Sequence, residues 1–147
     1  MQIAIVHYHL AQGGVTRVIE AASNALTAAG IQHVILTGGN VEGLGYLKDP
    51  GELTGLQLTA SLRTAATAAL GAPPDIWHFH NHSLGKNPRM AELVARLASS
   101  GVPAMLISNF PDAQAAAGFL AERLGAMEYR CYASPAFAQQ FFPVGLT

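Results

Sequence analysis

Apolar residues recur along this chain in two alternating rhythms. Short runs rich in β-branched and aromatic residues predict strands at Gln2–Leu10, Ile31–Thr37, Ile76–His82, Val102–Phe110 and Met127–Ala133. Between them lie Ala-rich stretches with helical spacing. In Val15–Ala29 the apolar positions Val15, Val18, Ile19, Ala22, Leu26 and Ala29 fall on one helix face, and Gly30 stands where a helix ends. Ser61–Leu70 predicts a second helix, stopped by Gly71 and the Pro73-Pro74 breaker. Asn87–Ser100 predicts a third, with Asn87 as cap, Pro88 in the first turn, and Met90, Leu93, Val94 and Leu97 as its buried face. Asp112–Leu124 follows the same scheme, with Asp112 as cap and Gly125 as stop. Ser134–Pro135 opens a last short helix running to Phe142.

Alternating strands and helices with near-continuous apolar strands predict a parallel sheet covered on both faces. Right-handed crossovers narrow this to a doubly wound α/β fold, a Rossmann-like three-layer α/β/α sandwich. The stretch Gly38–Gly55 breaks the rhythm. It holds six glycines and an Asp49-Pro50-Gly51 turn, which predicts a long functional or mobile loop. A further short strand at Leu56–Thr59 is compatible with the pattern.

Size and composition fit this picture. A chain of 147 residues, 50% hydrophobic and 12% charged, suits one domain with a well-filled core. The formal charge of −1, with Lys and Arg scattered, argues against nucleic acid or an anionic membrane surface as a partner. A single Cys131, on a predicted strand, allows no internal disulfide and reads as a structural thiol. With no basic leader and no apolar stretch of membrane-spanning length, the expected setting is soluble and cytoplasmic.

In an open parallel sheet, ligands bind beyond the carboxyl ends of the strands where the winding direction reverses, here between the first strand and Ile76–His82. Five of the six histidines lie on these two segments: His7, His9, His78, His80 and His82. Alternation puts His78, His80 and His82 on one face of their strand, and His7 and His9 on a common face of theirs. His7 and His78, deeper in their strands, are expected to be hydrogen-bonded interior residues. His9, His80, Asn81 and His82 are expected at the rim, where they can hold sugar hydroxyls. A zinc site from His9, His80 and His82 is the rival reading, although no Cys or carboxylate accompanies them, and the expectation is no metal. Gly13-Gly14, at the start of the first helix, brings backbone N–H groups and the positive helix end toward a phosphate or oxyanion. Thr16 can add a hydroxyl. Arg17 adds charge or pairs with Glu20 one turn on, and Lys86 is solvated. The dinucleotide fingerprint G-x-G-x-x-G, an acidic pair of receiver type and a G-x-S-x-G elbow are all missing.

Ile3-Ala4-Ile5-Val6-His7-Tyr8-His9, followed by Gly13-Gly14-Val15-Thr16-Arg17-Val18-Ile19, resembles the N-terminal domain of family 4 retaining glycosyltransferases of the GT-B fold. Ile76-Trp77-His78-Phe79-His80-Asn81-His82 and Ala133-Ser134-Pro135-Ala136-Phe137 are similar to later parts of that domain. The resemblance implies metal-free, retaining transfer from a nucleotide-sugar, a substrate rather than a cofactor, to an acceptor sugar or lipid. It implies Gly13, Gly14 and Thr16 as the donor-phosphate loop, and His9, His80, Asn81 and His82 as acceptor-binding residues. The second, nucleotide-binding domain of that family is not represented in residues 1–147, so the chain is expected to be inactive alone. Where the family places a histidine near the reacting sugar, this chain has Ser108 and Asn109, the candidate catalytic residues. Neither supplies the proton chemistry of imidazole. A non-catalytic glycan- or anion-binding module is the alternative function, and a metal-dependent hydrolase built on the histidines is a third.

Overall fold

The computed structural model describes residues 1–81, 85–107, 129–131 and 142–144. Ser108, Asn109, His82 and the predicted Asp112–Leu124 helix lie outside the described residues.

The chain forms an α/β fold. Strand β1 (Gln2–Val6) leads to helix α1 (Gly14–Ala28), β2 (Gln32–Leu36), α2 (Gly55–Leu70), β3 (Ile76–His80), α3 (Met90–Ser99) and β4 (Ala104–Ile107). These four strands are parallel, in the order β2-β1-β3-β4. Winding therefore reverses between β1 and β3, as the alternation predicts. The predicted Gln2–Leu10 overruns β1 at its carboxyl end, so His7 and His9 lie just past the ladder, while His78 and His80 lie within β3.

Alternate residues divide the sheet into two faces. Ala4, Val6, Trp77 and Phe79 point toward α2 and α3, where they form one buried cluster with Leu58, Leu62, Leu93 and Leu97. Trp77 and Phe79 stack at 6.4 Å. Helix α1 covers the opposite face, where Ile5 and Ile19 are fully buried and Ser23 on α1 hydrogen-bonds His33 on β2 at 2.7 Å. The buried side of α1 is Thr16 and Ile19; Val18, expected inside, is 51% exposed, because the helix turns its Thr16–Ile19–Ser23 line toward β2. The buried face of α3 contains all four predicted residues plus Ala98.

Three expectations are corrected. Leu56–Thr59 is the first part of α2 and not a strand. Thr54 accepts a hydrogen bond from Gln57 N while the Gln57 side chain accepts from Thr54 N, a capping box that starts the helix six residues ahead of Ser61. Thr54→Ala should cost about 1 kcal/mol, read from urea denaturation. Regular α3 begins at Met90 and not at Pro88; Asn87 Oδ1 accepts from Arg89 N at 3.0 Å in the turn that leads into the helix, while its buried amide serves another segment described below. Finally, β5 (Tyr129–Cys131) pairs antiparallel with β6 (Phe142–Val144), apart from the parallel sheet, so Phe142 opens a strand where a helix end was expected. A short apolar run such as Phe142–Val144 carries no period that distinguishes the two. Among the described residues no helix is long and apolar enough to cross a membrane.

Candidate functional site

Register aligns Val6 with Phe79, which sets His7 beside His80 and Tyr8 beside Asn81 just beyond the switch point. His7 Nδ1 donates to the His80 carbonyl at 3.1 Å, and Tyr8 Oη donates to the Asn81 carbonyl at 3.2 Å. The ends of β1 and β3 are thus tied by two cross-links. Asn81, with φ of 50°, turns the chain sharply there; among the described residues it is the one non-glycine at positive φ.

The imidazoles are packed together. His78 and His80 lie 4.5 Å apart between ring centroids, His7 and His9 5.3 Å, and His7 and His80 6.4 Å. His7, His80 and Asn81 are buried, so His80 and Asn81 belong under the rim and not on it. His7 is hydrogen-bonded as expected. The Nε2 atoms of both His78 and His80 are buried and meet no hydrogen-bond partner. Burial pushes His78 down to about 4. Burial, then the neighbouring His78 and His7, pushes His80 down to about 3. Burial also lowers His7, against its backbone hydrogen bond. These rings are neutral near pH 7 and poor proton acceptors, the wrong direction for general base catalysis. Among the described residues no group of three His, Cys, Asp or Glu is placed to hold a metal ion.

Helix α1 begins with Gly13 extended at its N-cap and no side chain capping the first turn. Added methyl groups at Gly13 or Gly14 would meet nothing closer than 4.0 Å, so neither packing nor a left-handed backbone explains the pair. Thr16 is buried, and its hydroxyl donates to the Ala11 carbonyl. That hydroxyl organises the turn and does not reach outward. Arg17 forms no ion pair with Glu20.

Over this end lies the Gly38–Gly55 segment, an ordered strap. Gly38 N donates to Tyr8 O at 2.9 Å, and Val41 and Leu44 are buried in the core. The buried Asn87 amide donates to Gly43 O at 2.7 Å and Gly45 O at 2.9 Å, Leu47 N donates to Lys86 O at 2.8 Å, and Arg89 Nε donates to Leu53 O at 2.8 Å. The strap sets Tyr46, 54% exposed, against Tyr8 at 5.1 Å and His9 at 4.8 Å, with the Lys86 ammonium 5.8 Å from its ring centroid. His9 Nδ1 accepts from Ala11 N at 3.0 Å, which leaves Nε2 as the protonated nitrogen of the neutral ring.

The chain matches no family model, no curated protein and no solved structure.

The exposed end of the sheet therefore presents His9, Tyr46, Lys86, Gly13 and Gly14, with His7, His80 and Asn81 beneath. Tyr46 was not singled out by its sequence pattern; its one signal is a lone aromatic inside Gly43-Leu44-Gly45-Tyr46. A depression between α2 and α3, lined by Leu56, Arg63, Glu92 and Arg96, is the weaker candidate. Its carboxylate is already paired with Arg96 at 2.9 Å.

Proposed function

We propose that this chain is the acceptor-side domain of a glycosyltransferase of GT-B architecture, a Rossmann-like sandwich forming one wall of a cleft. The observation that carries this reading is the convergence at the switch point. The diglycine start of α1 follows β1, whose end is cross-linked to that of β3 by the His7–His80 and Tyr8–Asn81 hydrogen bonds. The uncapped first turn of α1, with open space over Gly13 and Gly14, suits the phosphates of a nucleotide-sugar approaching from a second domain. His9 and Tyr46 offer a ring edge, a ring face and an N–H donor to a saccharide acceptor. One wall positions only one reactant, so this domain alone should bind without turnover. A non-catalytic glycan-binding module is the second reading, favoured by the internal use of the Thr16 hydroxyl and by imidazoles held neutral.

Amide-resolved NMR titration tests both readings. Saccharides should shift His9 and Tyr46, and nucleotide-sugars should shift Gly13 and Gly14. Saccharide shifts without nucleotide-sugar shifts would select the binding module. Shifts confined to the α2–α3 depression, or none with either ligand class, would sink the sugar assignment.

A further inference from the structure

Tyr46 packs one side of its ring on Tyr8 and His9 and meets Lys86 at the surface. An aromatic ring more than half exposed gains little from the hydrophobic effect, yet the chain fixes this one firmly. Two side-chain amide bonds from Asn87 and the Leu47–Lys86 backbone bond hold the strap to the Gly85–Asn87 turn. Tyr46 and Lys86 are therefore presented together by two segments joined through main-chain groups. A Lys resting on a surface Tyr for its own stability needs no such fastening.

Among the described residues neither cation at this edge is engaged in an ion pair, although the strap itself also carries Glu42, Asp49 and Glu52. Lys86 has no carboxylate within 4.0 Å among the described residues, and Arg17, in the first turn of α1, has none either. The first turn of α1 contains no acidic residue and turns its positive end toward this edge. At 5.8 Å the ammonium sits near the outer limit of attraction to the Tyr46 ring, so an anion competes for it readily.

Resting on the sugar-binding reading of this site, we infer that its ligand is a saccharide-like ring carrying an anionic substituent, a phosphate or a carboxylate. The ring packs on Tyr46, His9 donates to a hydroxyl, and Lys86 pairs with the anion. Lys86 and Tyr46 thereby select charged acceptors over neutral ones.

The test is an NMR titration of the full chain with methyl glucoside, glucose 6-phosphate, glucuronate and inorganic phosphate. Either charged sugar should bind roughly tenfold or more tightly than methyl glucoside, the worth of one charge-assisted contact. Lys86→Met should abolish that difference. Tyr46→Ala should weaken every sugar about tenfold, and Tyr46→Phe should restore sugar binding. Preference for the phosphate or for the carboxylate identifies which anion the site reads. Equal affinity for neutral and charged sugars at the His9 and Tyr46 amides overturns this inference and leaves the sugar site standing. Inorganic phosphate binding as tightly as glucose 6-phosphate overturns the ring platform. Binding of none of the sugars overturns both the inference and the reading beneath it.

Discussion

Acidification from pH 7 to pH 5 is expected to destabilise this domain by about 4 kcal/mol, a large share of the roughly 5–15 kcal/mol typical of a folded domain. The folded-state values of His78 and His80 are pushed down to about 4 and about 3, whereas an unfolded histidine titrates near 6.5. Between these limits the unfolded chain binds more protons than the folded one, so stability is complete above about 6.5 and falls as pH drops toward the folded-state values. Each histidine contributes about 1.4 kcal/mol per pH unit across that window. His7 acts in the same direction. Circular dichroism during urea titration at several pH values checks this, and a flat stability between pH 7 and 5 would refute it. His80→Phe removes one buried, unpartnered nitrogen and should shallow the acid dependence by about 1.4 kcal/mol per pH unit.

Gly38→Ala should destabilise the fold by about 1–3 kcal/mol, the usual range for forcing extra volume into a packed region. A methyl group at Gly38 would lie 2.7 Å from the Gly45 Cα and 2.8 Å from its nitrogen, and both are main-chain atoms that cannot rotate aside. Relief requires the strap to lift, which carries Tyr46 away from Tyr8 and His9. On the proposed sugar-binding reading, the variant should therefore lose saccharide binding at temperatures where it remains folded. Thermal unfolding followed by the NMR titration measures both effects; a variant with wild-type stability and wild-type shifts at Tyr46 would refute the close approach. Gly39→Ala, whose methyl group would meet nothing nearer than the Thr37 hydroxyl at 3.4 Å, is the matched control.

The alternation of periods was sufficient to place every strand of the parallel sheet, because strands covered on both faces write continuous apolar runs into the chain. It also placed the face of α3, whose apolar residues keep strict helical spacing. It misplaced the start of α2, since Leu56–Thr59 has the composition of a strand and the decisive signal is the Thr54–Gln57 capping pair. Convergence of the ends of the first strand and of Ile76–His82 was legible from the strand–helix alternation, whereas the pairing of His7 with His80 came from the register. The burial of His80 and Asn81 was not, because exposure at the end of a strand depends on what is folded over it. Tyr46 was hidden for a related reason: its place is set by tertiary hydrogen bonds from Asn87, whose own pattern reads as a helix cap.

The strap has a consequence for variation of this protein. Glycine-rich surface segments ordinarily tolerate insertion and deletion. Here the glycines let two backbones touch, and the span from Gly38 to Leu53 is tethered at Tyr8, Asn87, Lys86 and Arg89. Its length is thus a fixed dimension of this end of the sheet. One residue more or fewer between Gly38 and Gly45 would shift Tyr46 out of step with Lys86, so diversification here should proceed by substitution at the tip and not by change of length.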